Sequence, residues 1–178
     1  MSRHNKIFMF VFCVGMTVLL FDYVKARQHI WHTLPDTFET THISNLHILA
    51  TGFGPSANET GFAVVHLSEA GAALIAGGGI PWLNTQPGGR LWPEWSATPV
   101  PRDDFWMGRP DSATGAAPDP TVRAVLDRYG HGVNLPTKLE TAVDAALNAP
   151  GSFYAFGPGG LVTLIVPATR RAYVFYAG

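Results

Sequence analysis

The stretch SFYAFGPGGLVTLIVPATRRAYVFYA, residues 152–177, decides the fold. It holds three runs of aromatic and β-branched residues, Ser152–Phe156, Leu161–Val166 and Arg171–Ala177. Gly157–Gly160 and Pro167–Arg170 separate them with turn chemistry, so the spacing predicts a three-stranded antiparallel meander. The middle run is apolar at every position except Thr163. A strand that is apolar on both faces belongs in the centre of a sheet.

Working outward, two helical patterns precede the meander. Thr137 and Glu140 are spaced as a capping box, and Leu139, Ala142, Val143, Ala146 and Leu147 follow on one helical face until Asn148 and Pro150. Asp119-Pro120 reads as a helix start. Val122, Val125, Leu126 and Tyr129 then form a second stripe that Gly130 ends. Further back, Ser68 is placed to cap an Ala-rich helix over Glu69–Ala76, stopped by Gly77–Gly79. Phe62–Leu67 is strand-like. Ser44, Leu46, Ile48 and Ala50 alternate with Asn45 and His47, which predicts a partner strand and a hairpin. Between the halves lies an insert, residues 80–118, with seven prolines and four tryptophans. It has no helical period, and Pro99 limits Ser96–Val100 to an edge strand. The expected fold is α+β: a small antiparallel sheet made of the hairpin and the meander, with two or three helices on one face.

The N-terminus is of another kind. Ile7–Phe21 carries no charge, and the apolar run extends to Val24 with Asp22 as its one charged member. Eighteen helical residues reach ~27 Å, close to the ~30 Å hydrocarbon layer. Residues 1–27 are therefore expected to be a membrane segment with a transmembrane helix at about 7–24, and residues 28–42 a polar stalk. Residues 43–178 are expected to be a single extracytoplasmic domain. Charge divides the same way: residues 1–27 carry four basic side chains and one acidic, residues 28–178 eight basic and twelve acidic. Nine Arg against three Lys, with much Ala, Gly and Pro, hints at a bacterial source. The predicted location is a single pass through the inner membrane with the domain in the periplasm; a cleavage after Ala26 would instead release it there.

Composition excludes several classes. The whole chain is 47% hydrophobic with a formal net charge of −1, which argues against a disordered protein and against non-specific nucleic-acid binding. One cysteine, Cys13, permits no internal disulfide and no Cys-rich zinc site. Gly52-x-Gly54-x-x-Ala57 has the outline of a dinucleotide fingerprint, but Pro55 and a strand follow where a helix N-terminus would have to hold the pyrophosphate. His29-x-x-His32, with Asp36, Glu39 and His42 nearby, matches no metal-site spacing. His47 and His66 fall on facing strands, with no Ser, Cys or acid evidently beside them. No cofactor or metal is therefore expected.

The most site-like group lies in the insert: Trp92, Trp95, Arg102, Asp103, Asp104, Trp106 and Arg109. Aromatics among charges recur where sugars, peptides and proteins dock, though tryptophans also fold inward to cover a sheet. The expected function is a non-catalytic, membrane-anchored binding module for an envelope protein or a cell-wall ligand. One alternative is a small envelope hydrolase using Asp103 and Asp104 with a histidine. Another is a structural or immunity-type envelope protein.

Overall fold

The computed structural model describes residues 3–51, 58–86, 94–102, 106, 118–129 and 132–178; within these it leaves undescribed the side chains of residues 3–7, 11, 18, 19, 22, 50, 51 and 58. The chain is α+β, with a six-stranded sheet whose neighbours are all antiparallel. In chain order the elements are α1 (Arg3–Trp31), β1 (Thr40–Thr51), β2 (Asn58–Leu67) and α2 (Glu69–Leu83). There follow β3 (Ser96–Ala97), α3 (Val122–Leu126), α4 (Thr137–Asn148), β4 (Phe153–Gly157), β5 (Leu161–Val166) and β6 (Arg171–Ala177). Short 3-10 turns sit at Asp36–Phe38 and Pro167–Thr169.

The spatial order is β1-β2-β6-β5-β4-β3. The hairpin and the meander join through β2 and β6, with Phe62 opposite Phe175 and Val64 opposite Tyr173. The short strand β3 adds a sixth member at one edge, Ser96 opposite Tyr154. Alternation along the central strands divides their side chains into two cores. Ala63, Val65, Leu67, Ala155, Leu161, Ile165, Ala172, Val174 and Tyr176 face one way, beneath the last turns of α1 and α2. Phe62, Val64, Tyr154, Val162, Leu164, Tyr173 and Phe175 face the other, beneath α3 and α4.

Helices therefore cover both faces of the sheet, which corrects the expectation of one. The physical reason is in the strands themselves: β5 and β6 are buried at nearly every position, and both of their faces must be kept from water.

Local signals hold in part. Ser68 caps α2, its Oγ accepting from the Gly71 N–H at 2.9 Å. The expected stop at Gly77–Gly79 is instead a kink: Gly79 takes φ 53°, and the helix resumes so that Leu83 reaches the core. For α3 the cap is Thr121 rather than Asp119. In α4 Pro136 takes the cap position, while Glu140 pairs with Arg123 of α3 instead of closing a capping box. Gly61 is dictated by packing, because a Cβ there would overlap the ring of Tyr176.

Residues 28–42, expected as a stalk, place Ile30, Leu34 and Phe38 in the first core and leave Gln28, His32 and Asp36 exposed. The N-terminal helix is longer than the expected 7–24. Among the described residues no helix is long and apolar enough to cross a membrane.

Candidate functional site

Three regions bear on function: the insert, a recess beside α1, and a histidine cluster at the opposite end of β1.

Three of the insert's seven expected residues, Trp95, Arg102 and Trp106, are among those described. Trp95 is buried in the first core, its ring 5.7 Å from that of Phe38 and its backbone N–H donating to Asn84 Oδ1 at 2.8 Å. Trp106 is buried in the second core, 6.4 Å from Phe156. The two tryptophans thus lie on opposite sides of the sheet. Both are core covers, as aromatic residues in a small domain tend to be. Arg102 is exposed and pairs with Asp119. Trp92, Asp103, Asp104 and Arg109 lie outside the described residues.

The recess opens between α1 and the β1–β2 hairpin. Tyr23, Lys25, Ala26 and His29 of α1 face Leu46, Ile48 and Glu59 across a space of about 680 Å³. A smaller space of about 210 Å³ continues past His29 and Glu59 to Tyr176 and Gly178. The Tyr176 hydroxyl donates to Glu59 Oε1, and the His29 ring lies 6.0 Å from the phenol ring. Burial first, then the Glu59 carboxylate, push the Tyr176 phenol above its ordinary value of 10. The phenol therefore stays protonated and serves as a fixed donor.

The third region comes from a β-bulge. Between Ser44 and His47 the register of β1 against β2 shifts, and Asn45 takes φ 47°, a left-handed conformation that Asn tolerates. Ile43 and Leu46 both reach the first core, so Ser44 is turned to the opposite face from Leu46. In consequence His42, and not His47, stands opposite His66; His47 stands opposite Phe62. The rings of His42 and His66 stack with centroids 4.0 Å apart and planes 11° apart. Ser44 Oγ lies 2.8 Å from His66 Nε2 and accepts from Asn45 Nδ2 at 3.3 Å. Thr41 Oγ1 lies 3.1 Å from His42 Nδ1. Partial burial is the main reason His66 holds its proton less tightly than an ordinary imidazole, with His42 and Arg171 adding to it.

Ser44 and His42 were missed because strict alternation put Ser44 on the inward face with Leu46. The signal that would have found them is the period-2 pair His42-x-Ser44, with Asn45 next to it as a residue able to seat a bulge. No group of three or more His, Cys, Asp or Glu able to hold a metal ion occurs among the described residues. No family model, curated protein or solved structure matches this chain.

Proposed function

We propose that this chain is a membrane-anchored binding module, with residues 7–24 in the bilayer and the α+β domain outside the cytoplasm. One observation carries the reading. Ten large apolar side chains of α1, from Phe8 to Val24, are exposed, while Ile30 two turns further on is fully buried in the domain core. Phe8, Met9, Phe10 and Phe12 point to different sides of the helix, so no single docking face would cover them. Leaving such a surface in water is costly, and a bilayer is the surrounding that covers a helix all round. The same helix then enters the core, which makes anchor and domain one stiff piece.

Alkaline carbonate extraction of membranes tests the anchor. The intact chain should stay in the pellet, and a Phe10→Asp, Phe12→Asp variant should move to the supernatant; release of the unaltered chain overturns the anchor. Protease added to spheroplasts should digest the domain without lysis. Digestion only after lysis overturns the extracytoplasmic placement.

Trp92, Arg102, Asp103, Asp104 and Arg109 form the contact surface, toward an envelope protein or cell-wall ligand. Trp95 and Trp106 become the core fixings of the insert. A photo-crosslinker at Arg102 should capture a partner in intact membranes that one at Lys138, exposed on α4, does not. Equal capture at both positions removes the insert as the surface.

The hydrolase reading is favoured by one contact, the 2.8 Å approach of Ser44 Oγ to His66 Nε2, a nucleophile-and-base pairing. The aspartates it was built on, Asp103 and Asp104, lie outside the described residues. A fluorophosphonate probe decides it: Ser44 Oγ would bond to phosphorus, fluoride would leave, and His66 would take the hydroxyl proton. Labelling that Ser44→Ala abolishes would place hydrolysis ahead of binding.

A further inference from the structure

A recess of about 390 Å³ lies where β1, β2, β6 and the start of α2 meet, and basic groups from three strands or their ends line it. His42 comes from β1, His66 from β2, and Arg170 and Arg171 from the turn into β6; Thr41, Ser68 and Thr169 add hydroxyls. Each imidazole has one nitrogen committed, His66 Nε2 to Ser44 and His42 Nδ1 to Thr41. That leaves His66 Nδ1 and His42 Nε2 without a hydrogen-bond partner among the described residues. Arg171 has no carboxylate partner among them either, while Arg170 holds Glu69 at a loose 3.7 Å. Ser44 does not line this recess, so it orients His66 from behind rather than meeting whatever enters.

We propose that this recess binds an oxyanion of the phosphate type. Two guanidinium groups and two imidazoles approaching from different strands match a tetrahedral anion with several acceptor oxygens better than they match a planar carboxylate. The charges around it make the affinity depend on pH. Arg170 and Arg171 are balanced by Glu69 and by Glu39, whose Oε2 accepts from Ser68 Oγ at 2.7 Å. With both histidines neutral the surroundings carry no net charge, and two protons make them positive. Stacked 4.0 Å apart, the two rings repel when both are protonated, and a bound anion relieves that repulsion. Binding and proton uptake therefore support each other.

The site is independent of the recess beside α1. His42 and Ile48 are six residues apart on β1, roughly 20 Å of strand. Tyr23, Lys25, Ala26 and His29 of α1 flank the Ile48 end.

Calorimetric titration of the full-length chain in detergent micelles tests the proposal, with sulfate and inorganic phosphate as probes. Sulfate keeps its two charges across the range, so its pH dependence reports protons on the protein. Sulfate should bind saturably at pH 5.5 and about tenfold more weakly at pH 8, the factor of one unit of pKa displacement. Arg171→Gln and His66→Gln should each weaken it about tenfold, while Lys138→Gln leaves it unchanged. Acetate should bind far more weakly than either probe. If His66→Gln does not fold, His42→Gln takes its place, with thermal melting as the check on folding. Absence of saturable binding at pH 5.5, or affinity unchanged in Arg171→Gln, overturns the proposal. Displacement of phosphate by dihexanoylphosphatidic acid would make a lipid headgroup the source of the anion, and no displacement makes it a soluble phosphate.

Discussion

The two faces of the sheet solve the same problem with opposite means. Beneath α1 and α2 the central strands present Ala63, Val65, Ala155, Ala172 and Val174, small residues over which longer helices can lie close. Beneath α3 and α4 they present Phe62, Tyr154, Tyr173 and Phe175. There α3 has only five residues, and the sheet's own aromatic rings fill what the helices leave open. Helix bulk and strand side-chain size trade against each other across one sheet. Trp95 of the insert joins the first side and Trp106 the second.

The largest expected effects come from emptying the aromatic face. Phe175→Ala or Phe62→Ala removes a fully buried ring from a core whose short helices cannot move in to fill the gap. Each should cost about 3–5 kcal/mol in urea unfolding. Trp95→Ala and Trp106→Ala should each lose a similar ~3–5 kcal/mol, since both fill core. Were either tryptophan replaced with no loss of stability, its placement as core would be wrong. The small-residue face should fail in the other direction. Ala172→Leu adds volume beneath a helix already in place, and about 1–3 kcal/mol should be lost to overpacking. If Ala172→Leu were neutral and Phe175→Ala mild, the contrast between the faces would collapse.

How far the sequence discloses this follows from which signals are local. The meander at 152–177, the hairpin and the α4 stripe were legible because period and turn residues lie within a few positions. The second covered face was also written there, in the run of β5 that is apolar at every position but Thr163, yet it takes tertiary context to say which helix goes where. Residues 28–42 read as a stalk because polar residues outnumber the apolar ones. Only the fold reveals that Ile30, Leu34 and Phe38 share the inward side. The histidine cluster was hidden by a single extra residue: a bulge at Asn45 reverses the facing of everything on one side of it, and a strict period-2 count cannot register that. For the insert, tryptophan content named important residues without saying whether they face core or solvent.

The phenol at the open end of the small-residue face gives a pH-dependent contrast. Tyr176 holds its proton more tightly when folded than when unfolded, through burial and the Glu59 carboxylate. Above about pH 10 the unfolded chain gives up this proton and the folded one keeps it, so stability falls as pH rises beyond that point. Glu59→Gln removes the carboxylate's share, but burial, the larger cause, still keeps the folded phenol protonated, so the slope of the decline should be unchanged in unfolding midpoints between pH 9 and 11; a shallower decline would make Glu59 rather than burial the main cause. His66 bears on the acid side in the opposite sense. Its folded affinity for a proton is lowered, so stability should decline as pH drops below the ordinary 6.5, and bound sulfate should offset that decline.

The smallest expected effect carries the most specific statement about the small-residue face. Thr163 sits at the centre of β5, fully buried, and its Oγ1 has no hydrogen-bond partner among the described residues. It is opposite Ala155 on one side and Val174 on the other, so neither neighbouring strand offers a side-chain acceptor. A buried hydroxyl without a partner has lost its water and received nothing in exchange. Thr163→Val keeps the shape and the β-branching and removes that oxygen. It should therefore raise stability by about 1 kcal/mol, the lower end of the cost of an unmet buried polar group. Thr163→Ser isolates the methyl from the hydroxyl: it keeps the oxygen, opens a small void and should lower stability. A loss in Thr163→Val would mean that the hydroxyl has an acceptor, and that this face is less purely apolar than Ala63, Ala172 and Val174 make it.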